Sequence, residues 1–574
     1  MLKLARFFKP YTGMAAGVLV FVFLQTLGDL YLPNLMARII NEGVMQGDPD
    51  RIMQIGGVML LIAGGGVISS VLASLLTSKT AVGFGTLLRS KAFSKVMSQP
   101  LYEFEQFGTA TLITRTTNDI NQIQMVTIMI LRMMISAPMM GVGGIIMAFQ
   151  ASRRLTWALA IAMPVLAGVV VLIASKLMPL FKLVQVKIDQ INLVLREKLT
   201  GMRVIRAFNT SEYEQKRFMK ANVDLTNNYI RVNRIMAFMM PSIMLIMNLT
   251  TLAVLWYGGF LLSAGEMDLG ALAAFIQYVM MILMSTLMLA MMFIMVPRAQ
   301  AAAVRVNGVL ETVSEKMETL EIKVAAEKGY LEFRDVTFAY PGSERPLLKN
   351  ISFTAHPGEI TAIIGGTGAG KSTLMNLLLR FYDVDSGSIL LGGKDIREIP
   401  LGNLRAKIGL VPQKAMLFTG TVADNIRFGN EQASDEDIRR AAEISQATGF
   451  IKSNEDGFEY WIAQGGINLS GGQKQRLTIA RSLARKAEIY IFDDCFSALD
   501  FKTDARLRAA LQGEIARAIV FFVAQRVGTI MHADKIIVLD EGEIVGIGTH
   551  QELLAACDIY REIVFSQLSR GEIA

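Results

Sequence analysis

Six long apolar stretches fill the first half of the chain, near 14–36, 53–77, 128–150, 155–180, 236–262 and 270–297. Each is long enough to cross roughly 30 Å of hydrocarbon as a helix rising 1.5 Å per residue. The gaps after the first, third and fifth stretches are short. Those after the second and fourth run to about fifty residues and keep a helical period, so the membrane helices are expected to continue past the bilayer; some 25 helical residues reach about 40 Å. Lysine and arginine sort with gap length. One long gap holds Lys79, Arg89, Lys91, Lys95 and Arg115, the other a denser set from Lys182 to Arg234, whereas the short gaps hold only Arg38, Arg51, Arg153 and Arg154. This asymmetry places the long loops and both termini in the cytoplasm, and the chain as a multi-pass protein of the cytoplasmic (inner) membrane.

The pattern changes near residue 298. Residues 298–329 read as a polar helical connector, and from Gly329 short apolar runs alternate with helical segments, as in a soluble α/β domain. At 574 residues the chain is too long for one core. Hydrophobic residues make up 52% and charged residues 19%, which agrees with a membrane half. The net charge of +7 is spread over the loops and forms no single patch, so nucleic acid is not implied. Cys495 and Cys557 are the only cysteines and read as reduced thiols. Lys3, Arg6 and Lys9 precede the first apolar run, but that run is too long for a signal peptide and lacks a small-residue cleavage pattern. Methionine is frequent in the apolar stretches, for instance Met239, Met240, Met280, Met281, Met291 and Met292. Its flexible side chain suits irregular apolar shapes, so the fifth and sixth stretches, with Phe275, Tyr278 and Phe293, are expected to line an apolar, tolerant path.

Chemistry is concentrated in the second half. Gly365-Gly366-Thr367-Gly368-Ala369-Gly370-Lys371-Ser372 matches the P-loop pattern, after a β-like run (360–364) and before a helical one (373–381). Glycines let backbone N–H groups wrap phosphates, Lys371 neutralises β/γ charge, and Ser372 ligates Mg²⁺. A P-loop alone says nucleoside triphosphatase. Further on, Leu469-Ser470-Gly471-Gly472-Gln473 sets a hydroxyl and two glycines ahead of a helical pattern (Leu477, Ile479, Ala480, Leu483). Free N–H groups at such a helix start attract phosphate. The apolar run from Ile489 to Phe492 has buried-strand length and ends in Asp493 and Asp494, placing a carboxylate where it can hold Mg²⁺.

LSGGQ, the P-loop, the strand carboxylates and Ser497-Ala498-Leu499-Asp500, in this order, resemble the nucleotide-binding domain of an ABC transporter. With the six apolar stretches, nearly the whole chain is similar to an ABC exporter of the multidrug type. Phe107-Gly108, Leu112, Thr114-Arg115 and Asn118-Asp119 resemble its first intracellular loop, and the run from Glu197 to Asn209 its second; coupling tips are expected at about 108–117 and 208–217. The resemblance implies a fold: a polytopic α-helical membrane domain of six transmembrane helices with long cytoplasmic extensions, fused to an α/β P-loop ATPase domain of ABC type. The expected boundaries are 1–310, a linker at 311–329, and 330–574. It also implies ATP and Mg²⁺ as cofactors. Tyr340 would stack on adenine. Gly366, Thr367, Gly368, Ala369, Gly370, Lys371, Ser372 and Thr373 would hold the phosphates, with Ser470, Gly471, Gly472 and Gln473 closing the site from a second domain. Ser372, Asp493 and Gln413 of Val411-Pro412-Gln413 would contact the metal.

Two positions depart from the family pattern. Asp494 stands where the family has a glutamate, one methylene longer. Gln525, in Val523-Ala524-Gln525-Arg526, stands where the family has a histidine. Glutamine can bond a γ-phosphate but can neither take a proton nor carry charge. Asp494 and Gln525 are therefore the catalytic candidates of a weakened site, as in the degenerate half of a heterodimeric exporter. The implied partner is a second half-transporter, a different chain carrying the glutamate and histidine, and the implied substrate is hydrophobic. Two alternatives stay open: a regulatory or gating subunit that binds ATP with little turnover, and siderophore uptake on an exporter-like fold. The latter is disfavoured because no siderophore-handling domain precedes the first apolar stretch, and the absence of a leading peptidase likewise disfavours a peptide-maturing exporter.

Overall fold

The computed structural model describes residues 2–312, 329–497 and 500–567, so most of the expected linker and the pair Ala498-Leu499 lie outside the described residues. The backbone groups into two units: Met1–Val96 with Thr109–Thr312, and Met97–Gly108 with Val313–Ala574.

Among the described residues the first unit contains six helices long and apolar enough to span a membrane, as the hydropathy pattern requires. In lipid every backbone polar group must be bonded within the segment, which leaves the helix as the solution for single apolar stretches. The helices Thr12–Arg38, Pro49–Met97, Asn118–Ala151, Thr156–Thr200, Ser211–Ser263 and Leu269–Leu310 overrun the apolar stretches. Thr156–Thr200, at 45 residues, is about 68 Å long and twice a bilayer core. Beyond the apolar zone polar pairing takes over. Asp119, buried, accepts two hydrogen bonds from Arg305 at 2.5 and 2.8 Å and ties the third spanning helix to the sixth.

Two of the aromatic residues expected to line a substrate path are packed away. Phe275 and Tyr278 are fully buried among Leu272, Val279 and Ile282, and the Tyr278 hydroxyl donates to the Leu30 carbonyl at 3.2 Å. Their ring volume is used to hold the first helix against the sixth. The Phe293 side chain lies outside the described residues. Met240, Met280 and Met291 are exposed on this unit's surface.

In the second unit a four-stranded antiparallel sheet has the order Leu348–Ala355, Leu331–Phe338, Ser386–Leu391, Lys394–Asp395. A six-stranded sheet has the order Glu543–Gly548, Lys535–Asp540, Ile360–Gly365, Ile519–Val523, Ile489–Asp493, Ile408–Val411. Its last five strands are parallel. Ile519–Val523 is buried along its whole length, as a strand covered on both faces must be, which explains its uninterrupted apolar run.

The segment Met97–Gly108 groups with this unit, upstream of the tip expected at 108–117, while the helix Thr109–Thr116 stays with the membrane unit. The short helix Leu101–Phe107 stops at Gly108, whose φ of +71° turns the chain. From that helix, the Glu105 carboxylate accepts a hydrogen bond from the Tyr382 hydroxyl at 3.3 Å.

Candidate nucleotide site

Parallel pairing brings four functional loops to one sheet edge. Val523 sits level with Ile363 on one side and Asp493 on the other, and Val411 is level with Phe492. The P-loop, the segment containing Gln525, the Asp493-Asp494 pair and Gln413 therefore all leave the carboxyl ends of adjacent strands, where open α/β sheets place their ligands.

The P-loop closes on itself. Gly368 and Gly370 have φ of +87° and +97°, conformations that a side chain would strain. A Cβ on Gly366 or Gly368 would meet nothing within 4 Å, so the concave side is open. Lys371 Nζ donates to the carbonyls of Gly365 and Gly366 at 2.9 and 2.7 Å. Burial pushes its pKa below the usual lysine value, and Asp493 and Asp494 partly oppose this. A desolvated ammonium whose hydrogen bonds, among the described residues, go to its own loop's carbonyls suits a polyphosphate. The helix Lys371–Leu378 begins here, directly after Gly370 of the loop, and a helix start carries N–H groups without intrahelical partners that favour phosphate.

Ser372 Oγ donates to Asp493 Oδ1 at 3.3 Å. Burial raises the pKa of both Asp493 and Asp494. Among the described residues no group of three His, Cys, Asp or Glu side chains could cage a metal alone. One hydroxyl beside one carboxylate fits Mg²⁺, which keeps water and nucleotide oxygens for its other positions. The residues thus fit ATP with Mg²⁺. Ser372 and Asp493 would hold the metal; Gln413 leaves the same sheet edge, with its Nε2 donating to Asp494 at 3.2 Å. When bound, Mg²⁺ supplies charge neutralisation to the phosphates.

Asp494 sits in the left-handed region, φ +43°, which aspartate tolerates better than most residues. Its N–H donates to the Val523 carbonyl at 2.8 Å, and its Oδ2 accepts from Gln413 Nε2 at 3.2 Å. The Gln525 side chain is exposed and makes no hydrogen bond among the described residues. Tyr340 lies edge-on to Phe338 and Tyr382, with ring centroids 5.1 and 5.2 Å away, and its hydroxyl bonds Thr373 Oγ1 at 3.0 Å. Thr373 therefore serves the tyrosine here.

Ser470-Gly471-Gly472-Gln473 forms a capping box on the helix Gly471–Ala484. Ser470 Oγ accepts from the Gln473 N–H at 3.3 Å, and Gln473 Oε1 accepts from the Ser470 N–H at 2.8 Å. These two side chains bond only each other's backbone among the described residues; neither reaches the P-loop. The N–H groups of Gly471 and Gly472 remain as anion donors at an exposed helix start. Gln473 is thus engaged as a capping residue.

One residue escaped the sequence reading. Gln567 Oε1 accepts from the Val527 N–H at 2.9 Å, and its Nε2 donates to the Gln525 carbonyl at 2.8 Å. The last described helix, Asp558–Gln567, thereby clamps the segment around Gln525 from both sides. A cavity of about 430 Å³ beneath it is lined by Asp494, Val523, Arg508, Arg526 and Gln567. No local pattern marks a glutamine 42 residues downstream as a clamp. Each hydrogen bond contributes about 1 kcal/mol, so Gln567→Ala is expected to speed exchange of the Val527 amide on the order of tenfold. Hydrogen exchange read at that amide checks it, and unchanged protection would show that the clamp does not hold the segment.

The family description "ABC transporter transmembrane region" matches residues 16–287, and "ABC transporter" matches residues 348–497. An uncharacterized ABC transporter ATP-binding protein of Mycobacterium tuberculosis is 41% identical over 564 residues, 97% of each chain. The probable multidrug resistance ABC transporter ATP-binding/permease protein YheI of Bacillus subtilis is 33% identical, covering 98% of this chain and 96% of its own. An ATP-dependent lipid A-core flippase of Vibrio parahaemolyticus is 30% identical over the same shares. Among solved structures, a bacterial Atm1-family ABC exporter with ATP bound matches with a TM-score of 0.80 over 97% of this chain and 99% of that one. Its 23% identity makes this a likeness of fold.

Proposed function

The chain belongs to the ABC transporter family, as an ATP-hydrolysing transporter of exporter type, and from that premise we propose that it is one subunit of a heterodimeric exporter of hydrophobic or amphipathic compounds. The observation that carries the proposal is the pair Asp494 and Gln525. They occupy neighbouring strand ends beside an otherwise complete phosphate and Mg²⁺ site.

In this reading ATP lies between the P-loop of one chain and Ser470–Gln473 of the other. Lys371 and the P-loop N–H groups hold the phosphates, and Ser372 and Asp493 hold the metal. Asp494, turned toward Gln413, orients water poorly. Gln525 bonds phosphate without exchanging a proton. The site on this chain's P-loop retains nucleotide; the partner's P-loop site, completed by this chain's Gly471 and Gly472, turns over. The exposed Phe208 and Tyr213 at the second loop's turn suit docking to a partner chain. The basic long loops support a cytoplasmic ATPase domain. Relatives named for multidrug resistance and for a lipid A-core flippase support an apolar or amphipathic substrate.

The purified chain alone, verified as a homodimer, is expected to hydrolyse ATP at least on the order of tenfold more slowly than when assembled with a partner carrying glutamate and histidine. Only the assembled pair should export hydrophobic compounds from vesicles, with turnover stimulated by them. Rapid turnover by the homodimer would refute heterodimeric function. An assembled pair without substrate-stimulated turnover would make the chain a gating subunit instead.

A further inference from the structure

The arginines of the short connections, all at one end of the membrane unit, are not equivalent. Arg38 and Arg51 both bind Glu42, at 2.9 and 2.7 Å, and Arg154 pairs with Glu266. Arg153 has no ion pair among the described residues; its guanidinium lies over the Phe149 ring, 5.1 Å from the centroid. It lines a cavity of about 950 Å³ together with Ile145, Ile146, Phe149, Leu261, Arg154 and Glu266.

The depth of this cavity in the bilayer follows from its neighbours. Trp157, one residue into its helix, is 74% exposed, and Trp256, near the end of the helix Ser211–Ser263, is 84% exposed. Exposed tryptophans on spanning helices mark the headgroup level. Beneath Arg153, the exposed Val142, Ile146 and Phe149 follow an i, i+4, i+7 spacing on the helix Asn118–Ala151. They make one apolar lane about 10 Å long, running from the interface into the hydrocarbon.

Arg153 is exposed at the headgroup level with no carboxylate partner among the described residues, and its planar fork matches phosphate oxygens. Glu266 is occupied by Arg154, so the cavity keeps one net positive charge. We propose that this groove binds an anionic phospholipid, with its phosphate on Arg153 and one acyl chain along Val142, Ile146 and Phe149.

The test uses the full chain, in its assembled form, reconstituted in phosphatidylcholine doped with phosphatidylglycerol, with retained lipid counted by native mass spectrometry. Arg153→Gln is expected to lower phosphatidylglycerol retention on the order of tenfold, the worth of one charge-assisted contact. Arg153→Lys should fall between the two, because it keeps the charge and loses the fork. Glu266→Gln frees a second guanidinium and should raise retention. Both glutamine variants are expected to keep the parent's ATP turnover, which reports that they are folded. Unchanged retention in Arg153→Gln overturns the proposal. So does release by inorganic phosphate, which would mark a soluble-anion site, or an equal loss of phosphatidylcholine, which would mark an acyl groove without headgroup recognition. If Arg153→Gln does not assemble, Glu266→Gln decides alone: retention that fails to rise overturns the proposal.

Discussion

The double variant Asp494→Glu with Gln525→His is expected to hydrolyse ATP on the order of a hundredfold faster than the parent homodimer, within the range that a positioned base contributes. The P-loop, Ser372 and Asp493 already present what phosphate and Mg²⁺ require. In the proposed degenerate site, what is missing is reach and a proton carrier. One methylene adds about 1.5 Å of reach, and a base must come within roughly 3.2 Å of the proton it takes. Histidine at 525 supplies a group that can hold or release a proton near neutral pH. Glutamate suits the φ of +43° at this position less well than aspartate does. That mismatch costs about 1 kcal/mol, less than the ~2.7 kcal/mol that a hundredfold gain represents. Each single change is expected to give much less than its share, because a base and its partner act as a unit. Turnover is measured on purified homodimers, with Lys371→Ala in the same background to subtract contaminating activity. A double variant that binds ATP as before and gains no rate would show that these two residues do not limit hydrolysis.

How much of this was legible in the sequence depends on the range of the contacts. The spanning helices, the P-loop turn and the capping box are local: a run of apolar residues, a glycine spacing, a serine three residues ahead of a glutamine. The convergence of Gly365, Gln413, Asp493 and Gln525 follows once the strands are parallel, because each residue ends a buried apolar run. Two kinds of feature were not legible. In a membrane helix the packed face and the lipid face are both apolar, so periodicity did not separate the buried Phe275 and Tyr278 from the exposed Met280 and Met291. Contacts between distant residues leave no period at all. The bond from Tyr382 to Glu105 spans 277 positions, and the clamp from Gln567 to Gln525 spans 42.

Gly472→Asp is expected to nearly abolish ATP turnover and transport by the assembled pair, whereas Asp494→Asn should reduce them less than about tenfold, or ~1.4 kcal/mol. The two changes fall on opposite halves of the composite arrangement proposed above. Gly472 lies half-buried in the first turn of the helix Gly471–Ala484, where N–H groups lack intrahelical partners, inside the Ser470–Gln473 cap. A carboxylate there would compete with phosphate for those donors and repel it. Losing one donor to developing charge costs about 3 kcal/mol, on the order of a hundredfold in rate, and charge repulsion adds to that. The same carboxylate favours the helix itself, since an anion near a helix N-terminus stabilises it by about 0.3–1 kcal/mol. The variant should therefore stay folded, with a melting temperature at or above the parent's, so that loss of activity reports the site. Asp494 is a different case. Its carboxylate is turned to Gln413 at 3.2 Å, and asparagine keeps both the hydrogen-bonding shape and the tolerance for positive φ. Little catalytic work is expected to be lost with the charge. The measurement is ATP turnover and substrate efflux for both variants, each assembled with an unmodified partner. Equal and complete loss in both would make Asp494 a working base and remove the grounds for a degenerate site on this chain.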